Sequence, residues 1–321
     1  MLKIFLIPIL RTKTVSLVKE IADKNYWAAK QVYKARLWRN SLRSRHDPIL
    51  VYSMGKVGST SVARSLDAVY DSDSIHHLHW LVPEKLNHDE KLTRSFMRRF
   101  AGTPLERKFW PEYIWTGQFL SKQVHSRPGN TDKWKIITLV RDPVARNISA
   151  FFQNLKLIFE YDYQAALRTK TEAEVVDELW ELFKEGYITR EKAFRMDCNP
   201  LTWFDNELNQ VFDIDIFSQR FPVNQGYNIY ETPTADILVM KLEDLKNCAS
   251  NAVNQFLGLK HFKLKSGNVA EDKEYSSLYS QFLERVKLPD DYLDKVYQSR
   301  VCKHFYTDDE LAEFRNRWSE N

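Results

Sequence analysis

The sequence predicts an α/β fold, with a mostly parallel central sheet flanked by helices. Continuous β-prone apolar runs at 49–52, 134–140 and 235–241 alternate with longer stretches of helical periodicity. Strands that alternate with helices imply a parallel sheet covered on both faces. The 321 residues are 43% hydrophobic and 28% charged, with no internal repeat and no linker. That composition specifies a globular chain with a sizeable core. Two segments are expected: a basic helical segment over 1–45, and one α/β domain over 46–321 with helical insertions and a helical C-terminus.

The elements follow in order. Val15, Val18, Ile21, Ala22, Trp27, Ala28, Val32, Tyr33, Leu37 and Trp38 recur at helical spacing, and Asp47-Pro48 breaks that helix. Ile49–Tyr52 is a short buried strand, followed by the small-residue loop Ser53–Thr60 and a helix over 61–70. Ser74–Leu81 is a second strand. Residues 84–125 read as helical, with a third strand at Tyr113–Trp115. Trp134–Val140 carries the strongest strand signal. A helix over 144–157 follows, with Pro143 at its start, where the missing N–H costs nothing. Thr171-x-x-Glu174 is a capping box that opens a helix to Lys184. Asn199-Pro200 starts another helix, through Val211. A strand over 235–241 leads to a helix over 242–257 that ends at Gly258, and two or three helices fill 275–321.

Charge is uneven along the chain. The total is +4, but residues 1–45 hold eleven basic and two acidic residues, a net +9, which leaves the body at −5. The body is therefore no nucleic-acid binder. The basic segment has three readings: a helix packed on the domain, an interfacial helix held to anionic lipid by its cations with Trp27 and Trp38, or a mitochondrial presequence. The longest apolar run, Ile4–Leu10, is too short to span a bilayer, and no small-residue cleavage pattern follows it. Cys198, Cys248 and Cys302 form no C-x-x-C pair. This points to a reducing compartment, the cytoplasm, with the inner face of the membrane as the place where residues 1–45 would dock.

The loop after the first strand joins a strand to a helix N-terminus, where unpaired amides and the helix dipole favour an anion. Gly55 and Gly58 allow a tight backbone, Lys56 adds charge, Val57 lies between them, and Ser59, Thr60 and Ser61 add hydroxyls. The nucleotide-binding pattern G-x-x-x-x-G-K-[ST] is not met. If Gly55-Lys56 supplies its G-K step, Leu50 stands at the first glycine and Val57 at the hydroxyl position. A second anion site is expected from Arg141, at the C-terminal end of a buried strand, with Ser149 two helical turns further on.

These residues carry a resemblance. Ser53-Met-Gly-Lys-Val-Gly-Ser-Thr-Ser61 is similar to the loop with which sulfotransferases hold the 5′-phosphosulfate of 3′-phosphoadenosine 5′-phosphosulfate (PAPS). Arg141-Asp-Pro-x5-Ser149 resembles their 3′-phosphate motif. Val239–Leu245 with Phe256-Leu-Gly258 resembles their late strand and helix. The likeness runs over about 48–260 and departs in two places. Gly55 replaces the usual proline, and only Lys263, Lys265, Gly267 and Lys273 stand in for a glycine-rich C-terminal cofactor loop. Trp203–Glu207 and His304-Phe-Tyr306 resemble a bacterial branch described as capsular-polysaccharide synthesis proteins. The resemblance implies a P-loop-like sulfotransferase fold, PAPS as donor, a glycan or glycolipid acceptor and no metal requirement.

Three histidines lie within four residues. On a strand, His77 and His79 share one face and His76 takes the other. By the family's register His77 is the general base and His79 its support, with Lys56 stabilising the leaving group and Arg141 and Ser149 placing the donor. A structural role and a metal site are the other readings of the cluster, and a metal would need a third ligand. Trp80, Trp110, Trp115 and Trp203 are candidate sugar platforms or core, and Arg94, Arg98, Arg99, Arg107 and Lys108 either meet an acidic glycan or form a solvated face. Two other functions remain open: a Mg-ATP-dependent kinase with Asp142 on the metal, and a non-catalytic glycan-assembly scaffold.

Overall fold

The structure is a computed structural model that describes residues 25–44, 47–71, 73–99, 111–126, 133–195, 198–265 and 275–319. The chain forms two compact units, Met1–Pro48 with Trp80–Gly129, and Ile49–His79 with Asn130–Asn321. The helical insertion that precedes the 134–140 strand thus groups with the N-terminal helix.

The first unit holds α1 (Tyr26–Arg43), with α3 (Pro83–Arg99) and α4 (Glu112–Ser126) beside it. Asn25 caps α1 through its side chain, which accepts from the amides of Trp27 and Ala28. The inner face of α1 buries Ala29, Tyr33 and Leu37 against Trp115. Lys30 is buried on the same face and pairs with Glu90 at 2.6 Å. Glu90 also accepts from Gln118 Nε2 and Tyr26 OH, so the buried charges are hydrogen-bonded as burial requires. The strand expected at Tyr113–Trp115 is instead the first turn of α4. Its aromatic and β-branched residues mimic a strand over three positions, but Ile114, Trp115 and Thr116 are all buried in a helix. Trp115 is core, and Trp110, Arg107 and Lys108 lie outside the described residues.

The second unit is built on β1 (Ile49–Tyr52), β2 (Ile75–Leu78), β3 (Trp134–Val140), β4 (Tyr227–Glu231) and β5 (Ala235–Lys241), in the order β2-β1-β3-β5-β4. The pairs β1–β2, β1–β3 and β3–β5 are parallel, with Val51 opposite His77 on one side and Ile137 on the other. The edge strand β4 is antiparallel to β5. β4 is not among the strands expected from apolar runs, although Tyr-Asn-Ile-Tyr-Glu, a Thr-Pro-Thr link and an apolar strand together spell a hairpin. All four residues of β1 are buried, as are six of the seven in both β3 and β5, which is the pattern of strands covered on both faces.

Helices α2 (Ser59–Leu66), α5 (Pro143–Ile158), α6 (Glu172–Phe183) and α7 (Leu245–Leu257) follow the strands. The expected capping box is present at Thr171 and Glu174, and Gly258 ends α7 in the left-handed conformation at φ 65°. Four terminal helices, α8 (Ser276–Arg285), α9 (Asp290–Tyr297), α10 (Arg300–Phe305) and α11 (Asp308–Trp318), exceed the two or three expected. The segment from α9 to α11 locks onto the ends of β3 and β5. Tyr297 OH and Trp318 Nε1 donate to Asp142 at 3.1 and 3.3 Å, and Tyr306 OH donates to Glu243 at 3.2 Å. Lys241 Nζ reaches Glu310 at 2.6 Å.

Candidate anion-binding site

In the sheet order the chain leaves β1 toward β2 and later returns on the other side of β1 as β3. The C-terminal ends of β1 and β3 therefore flank the point where the winding reverses, the place at which open α/β sheets bind ligands. Both predicted anion motifs stand here.

The turn after β1 holds Lys56 at φ 71° and Gly58 at φ 86°, and Gly58 is the N-cap of α2. A left-handed lysine costs backbone energy and needs outside support. Two arginines supply it: Arg141 Nη1 donates to Lys56 O at 3.0 Å, and Arg146 Nε donates to Gly55 O at 2.9 Å. In a trans peptide the C=O and the next N–H point in opposite directions. Drawing the carbonyls of Gly55 and Lys56 toward the arginines therefore turns the amides of Lys56 and Val57 the other way. Among the described residues, the amides of Val57, Gly58, Ser59 and Thr60 have no protein acceptor, as at the open start of a helix. Ser53 Oγ, where the loop begins, is also buried without a partner.

The two glycines differ in role. An added Cβ at Gly55 meets nothing nearer than 3.9 Å and the backbone there is not left-handed, so Gly55 is not sterically required. At Gly58 a Cβ would lie 2.6 Å from Leu242 Cδ1, at a φ that L residues avoid. Gly58→Ala is expected to destabilise the protein by about 2–3 kcal/mol, from left-handed strain and overpacking together, with Gly55→Ala changing little. Urea unfolding of the two variants checks the contrast, and equal midpoints would disprove it.

Lys56 Nζ donates to Gln153 Oε1 at 2.9 Å. Gln153 lies four residues beyond Ser149 on α5, hence on the same helix face. The ammonium thus runs along the face that carries Ser149, and the cation assigned to the first motif and the hydroxyl assigned to the second share one neighbourhood. Arg146 is named by neither anion motif. Its signal lay in α5 itself, whose Val144, Ile148, Ala150, Phe151, Phe152 and Leu155 leave little solvated surface for an arginine.

The histidines follow the predicted alternation. His77 and His79 meet edge to face at 5.1 Å between ring centroids. His77 Nε2 is hydrogen-bonded to Ser59 Oγ at 2.9 Å, and burial, assisted by His79, pushes its pKa down to about 3. Burial likewise lowers His76 to about 4. His77 is therefore neutral at pH 7 and a weaker base than an ordinary imidazole, which does not favour the general-base role that the family's register gives it. His79 sits one residue past β2, with Nδ1 2.6 Å from Ser53 O. A carbonyl accepts only, so Nδ1 carries the proton and the lone pair of the neutral ring is on Nε2. Trp203 Nε1 donates to His79 O at 3.2 Å and its ring packs on Tyr52 at 5.0 Å. Trp203 is core, as is the Glu207 carboxylate that accepts from Tyr52 OH.

Asp142 is engaged elsewhere. It caps α5 through Val144 N at 3.0 Å besides taking the Tyr297 and Trp318 donors, and burial raises its pKa. Its own amide donates to Glu243, whose carboxyl is also raised by burial. Among the described residues no three His, Cys, Asp or Glu side chains stand together as a metal centre would need. Gly267 and Lys273 of the expected C-terminal cofactor loop lie outside the described residues. Lys263 is exposed, and Lys265 N donates at 2.9 Å to Ser65 Oγ on α2, the helix that carries the amide-rich turn.

Residues 174–307 match a family model described as "Putative capsular polysaccharide synthesis protein". The matched stretch begins in α6 and ends beyond α10, so it includes Trp203, Glu207, β4, β5 and His304-Phe-Tyr306, but neither the 53–61 turn nor Arg141. No curated protein and no solved structure matches the chain. Over its matched residues the chain is similar to proteins of capsular polysaccharide synthesis, which is consistent with glycan assembly in general.

Proposed function

We propose that this protein transfers a sulfuryl group from PAPS to a hydroxyl of a glycan or glycolipid acceptor, on a P-loop-like sulfotransferase fold. The observation that carries the reading is the 3.0 Å contact of Arg141 with the Lys56 carbonyl at the reversal point of the sheet. It brings an amide-rich helix start and a strand-end guanidinium together, as a doubly phosphorylated ligand requires. The unpartnered amides of Val57–Thr60, the orphaned Ser53 hydroxyl and the nearby Lys56 ammonium form a donor set suited to sulfate and phosphate oxygens.

The donor supplies an activated sulfur–oxygen bond whose breaking leaves adenosine 3′,5′-bisphosphate. The chain's own residues do the rest. Val57–Ser61 and Lys56 hold the 5′ end and offset negative charge on the departing oxygen. Arg141 and Ser149 hold the 3′-phosphate and fix its position. Of the two histidines we assign His79 as proton acceptor, through Nε2, because Ser53 O fixes its tautomer and ring. His77, neutral and bonded to Ser59, orients that hydroxyl toward the anion. The kinase reading loses its metal ligand, because the Asp142 carboxylate is taken up by a helix cap and two aromatic donors.

Titration calorimetry with adenosine 3′,5′-bisphosphate tests the proposal. The intact protein should bind it, and Arg141→Ala should weaken binding by about ten- to a hundredfold, the worth of one charge-assisted phosphate contact. Absence of binding by the intact protein, or tighter binding of Mg-ATP than of the bisphosphate, would overturn it.

A further inference from the structure

Among the described residues, the large hydrophobic side chains left exposed are concentrated on one helix. Trp27, Val32, Trp38 and Leu42 of α1 are 52%, 37%, 61% and 65% exposed, and only Val69 and Tyr113 join them from elsewhere. On a helical wheel, Trp27, Trp38 and Leu42 fall within about 60° of one another, opposite the face that buries Ala29, Tyr33 and Leu37. The core of the first unit is thus satisfied on one side of α1, and a second apolar stripe is presented on the other.

Charge frames that stripe. The eighteen residues of α1 include five cations and no acid. Lys30 is spent on Glu90, while Lys34 borders the stripe on one side and Arg39 and Arg43 on the other. From α3, Arg94 lies over the Trp27 ring at 5.0 Å, with Arg98 one turn further on. Crowding of like charge is felt at Lys34, whose ammonium is pushed below its usual range by burial and by Lys30 and Lys122.

We propose that this outer face of α1 is a docking surface for an anionic lipid bilayer, with Trp27, Trp38 and Leu42 entering the headgroup boundary and Lys34, Arg39, Arg43 and Arg94 meeting lipid phosphates. Indole rings have an apolar body and a polar N–H suited to that boundary, and flanking cations reach up to the headgroups along their alkyl stems. A second copy of the chain would bring like charges together. A nucleic acid would satisfy the arginines but leave Leu42 and Val32 in water. No helix among the described residues is long and apolar enough to cross a membrane, so contact through this face is peripheral.

The test is flotation of the full-length protein with vesicles of phosphatidylcholine alone or mixed with phosphatidylglycerol, at low and high salt. The protein should float with the mixed vesicles at low salt and be released at high salt. Arg39→Glu with Arg43→Glu should lower partitioning by more than about tenfold, at about fivefold per cation removed near the surface. Trp27→Ala with Trp38→Ala should lower it comparably, and as both side chains are more than half exposed, an unchanged thermal melt verifies the fold. Failure to float with the mixed vesicles overturns the proposal. So does undiminished flotation of the tryptophan variant, which would give the binding to charge alone or to residues 1–24. Capture of nucleic acid or an acidic protein without vesicle binding also overturns it. Bisphosphate binding is unaffected by these variants, so this proposal and the sulfuryl-transfer reading stand or fall separately.

Discussion

Replacing His77 with glutamine is expected to remove about 3 kcal/mol of acid sensitivity between pH 7.5 and pH 4, the larger part of what one buried histidine can contribute. In the fold His77 titrates at about 3, against 6.5 for an exposed imidazole. As pH falls below 6.5 the unfolded chain takes up a proton that the folded chain refuses. Stability is therefore fully present above pH 6.5 and is lost as pH falls toward 3, at about 1.4 kcal/mol per pH unit. His76, at about 4, adds a loss of similar size and sign, so that the pair removes about 6 kcal/mol by pH 4, comparable to the whole stability of many domains. Two buried carboxyls act the other way. Asp142 and Glu243 are raised by burial, so the fold holds their protons more tightly than the unfolded chain does, and their contribution grows as pH falls. The wild-type profile mixes both signs, but the difference between wild type and His77→Gln isolates one group. Glutamine keeps a partner for Ser59 Oγ and does not titrate. Urea unfolding of both proteins at pH 7.5 and at pH 4 measures the gap. A gap that stays constant with pH would mean that His77 is not buried as described.

Much of this fold was legible because the strands lie in the interior. The runs 49–52, 134–140 and 235–241 are apolar throughout, since parallel strands covered on both faces have no solvent side to encode. The punctuation was equally local: Pro143 at a helix start, Thr171 with Glu174 at a cap and Gly258 at a helix end. What escaped was set by tertiary context. The edge strand β4 is half polar and is a strand only because β5 is its neighbour. Tyr113–Trp115 looks extended over three residues, and only the buried environment of α4 decides for helix. The site divides in the same way. The turn with its lysine, the strand-end arginine and the histidine alternation could be read from spacing, and the structure brings the turn and that arginine into contact. The depressed pKa of His77 and the engagement of Asp142 with Tyr297 and Trp318 could not, because both depend on partners distant in sequence.

The second large effect is expected at a residue with no place in any motif. Arg146 is fully buried on α5, and its guanidinium fork reaches three acceptors: Gly55 O at 2.9 Å, Cys198 O at 2.8 Å and Asn147 Oδ1 at 3.2 Å. It ties the anion turn to a segment more than a hundred residues away, and it is half of the support that holds Lys56 left-handed. Arg146→Ala removes the guanidinium donors to Gly55 O and Cys198 O and opens a cavity the size of the side chain, so a loss of about 3–5 kcal/mol is expected in urea unfolding. Arg146→Lys is the more informative change. An ammonium keeps the charge and most of the volume but cannot serve carbonyls in divergent directions as a planar fork does. Its expected cost is about 2 kcal/mol, from one lost buried hydrogen bond and imperfect packing. Because the turn is then held by Arg141 alone, bisphosphate affinity should fall by about tenfold, although Arg146 touches no ligand in the proposed arrangement. A purely structural role predicts lost stability with unchanged affinity at a temperature where the variant is folded. Calorimetry on Arg146→Lys under those conditions separates the two. Wild-type affinity there would show that the amides of Val57–Thr60 hold their geometry without this anchor, and the turn would then owe its shape to Gly58 and Arg141.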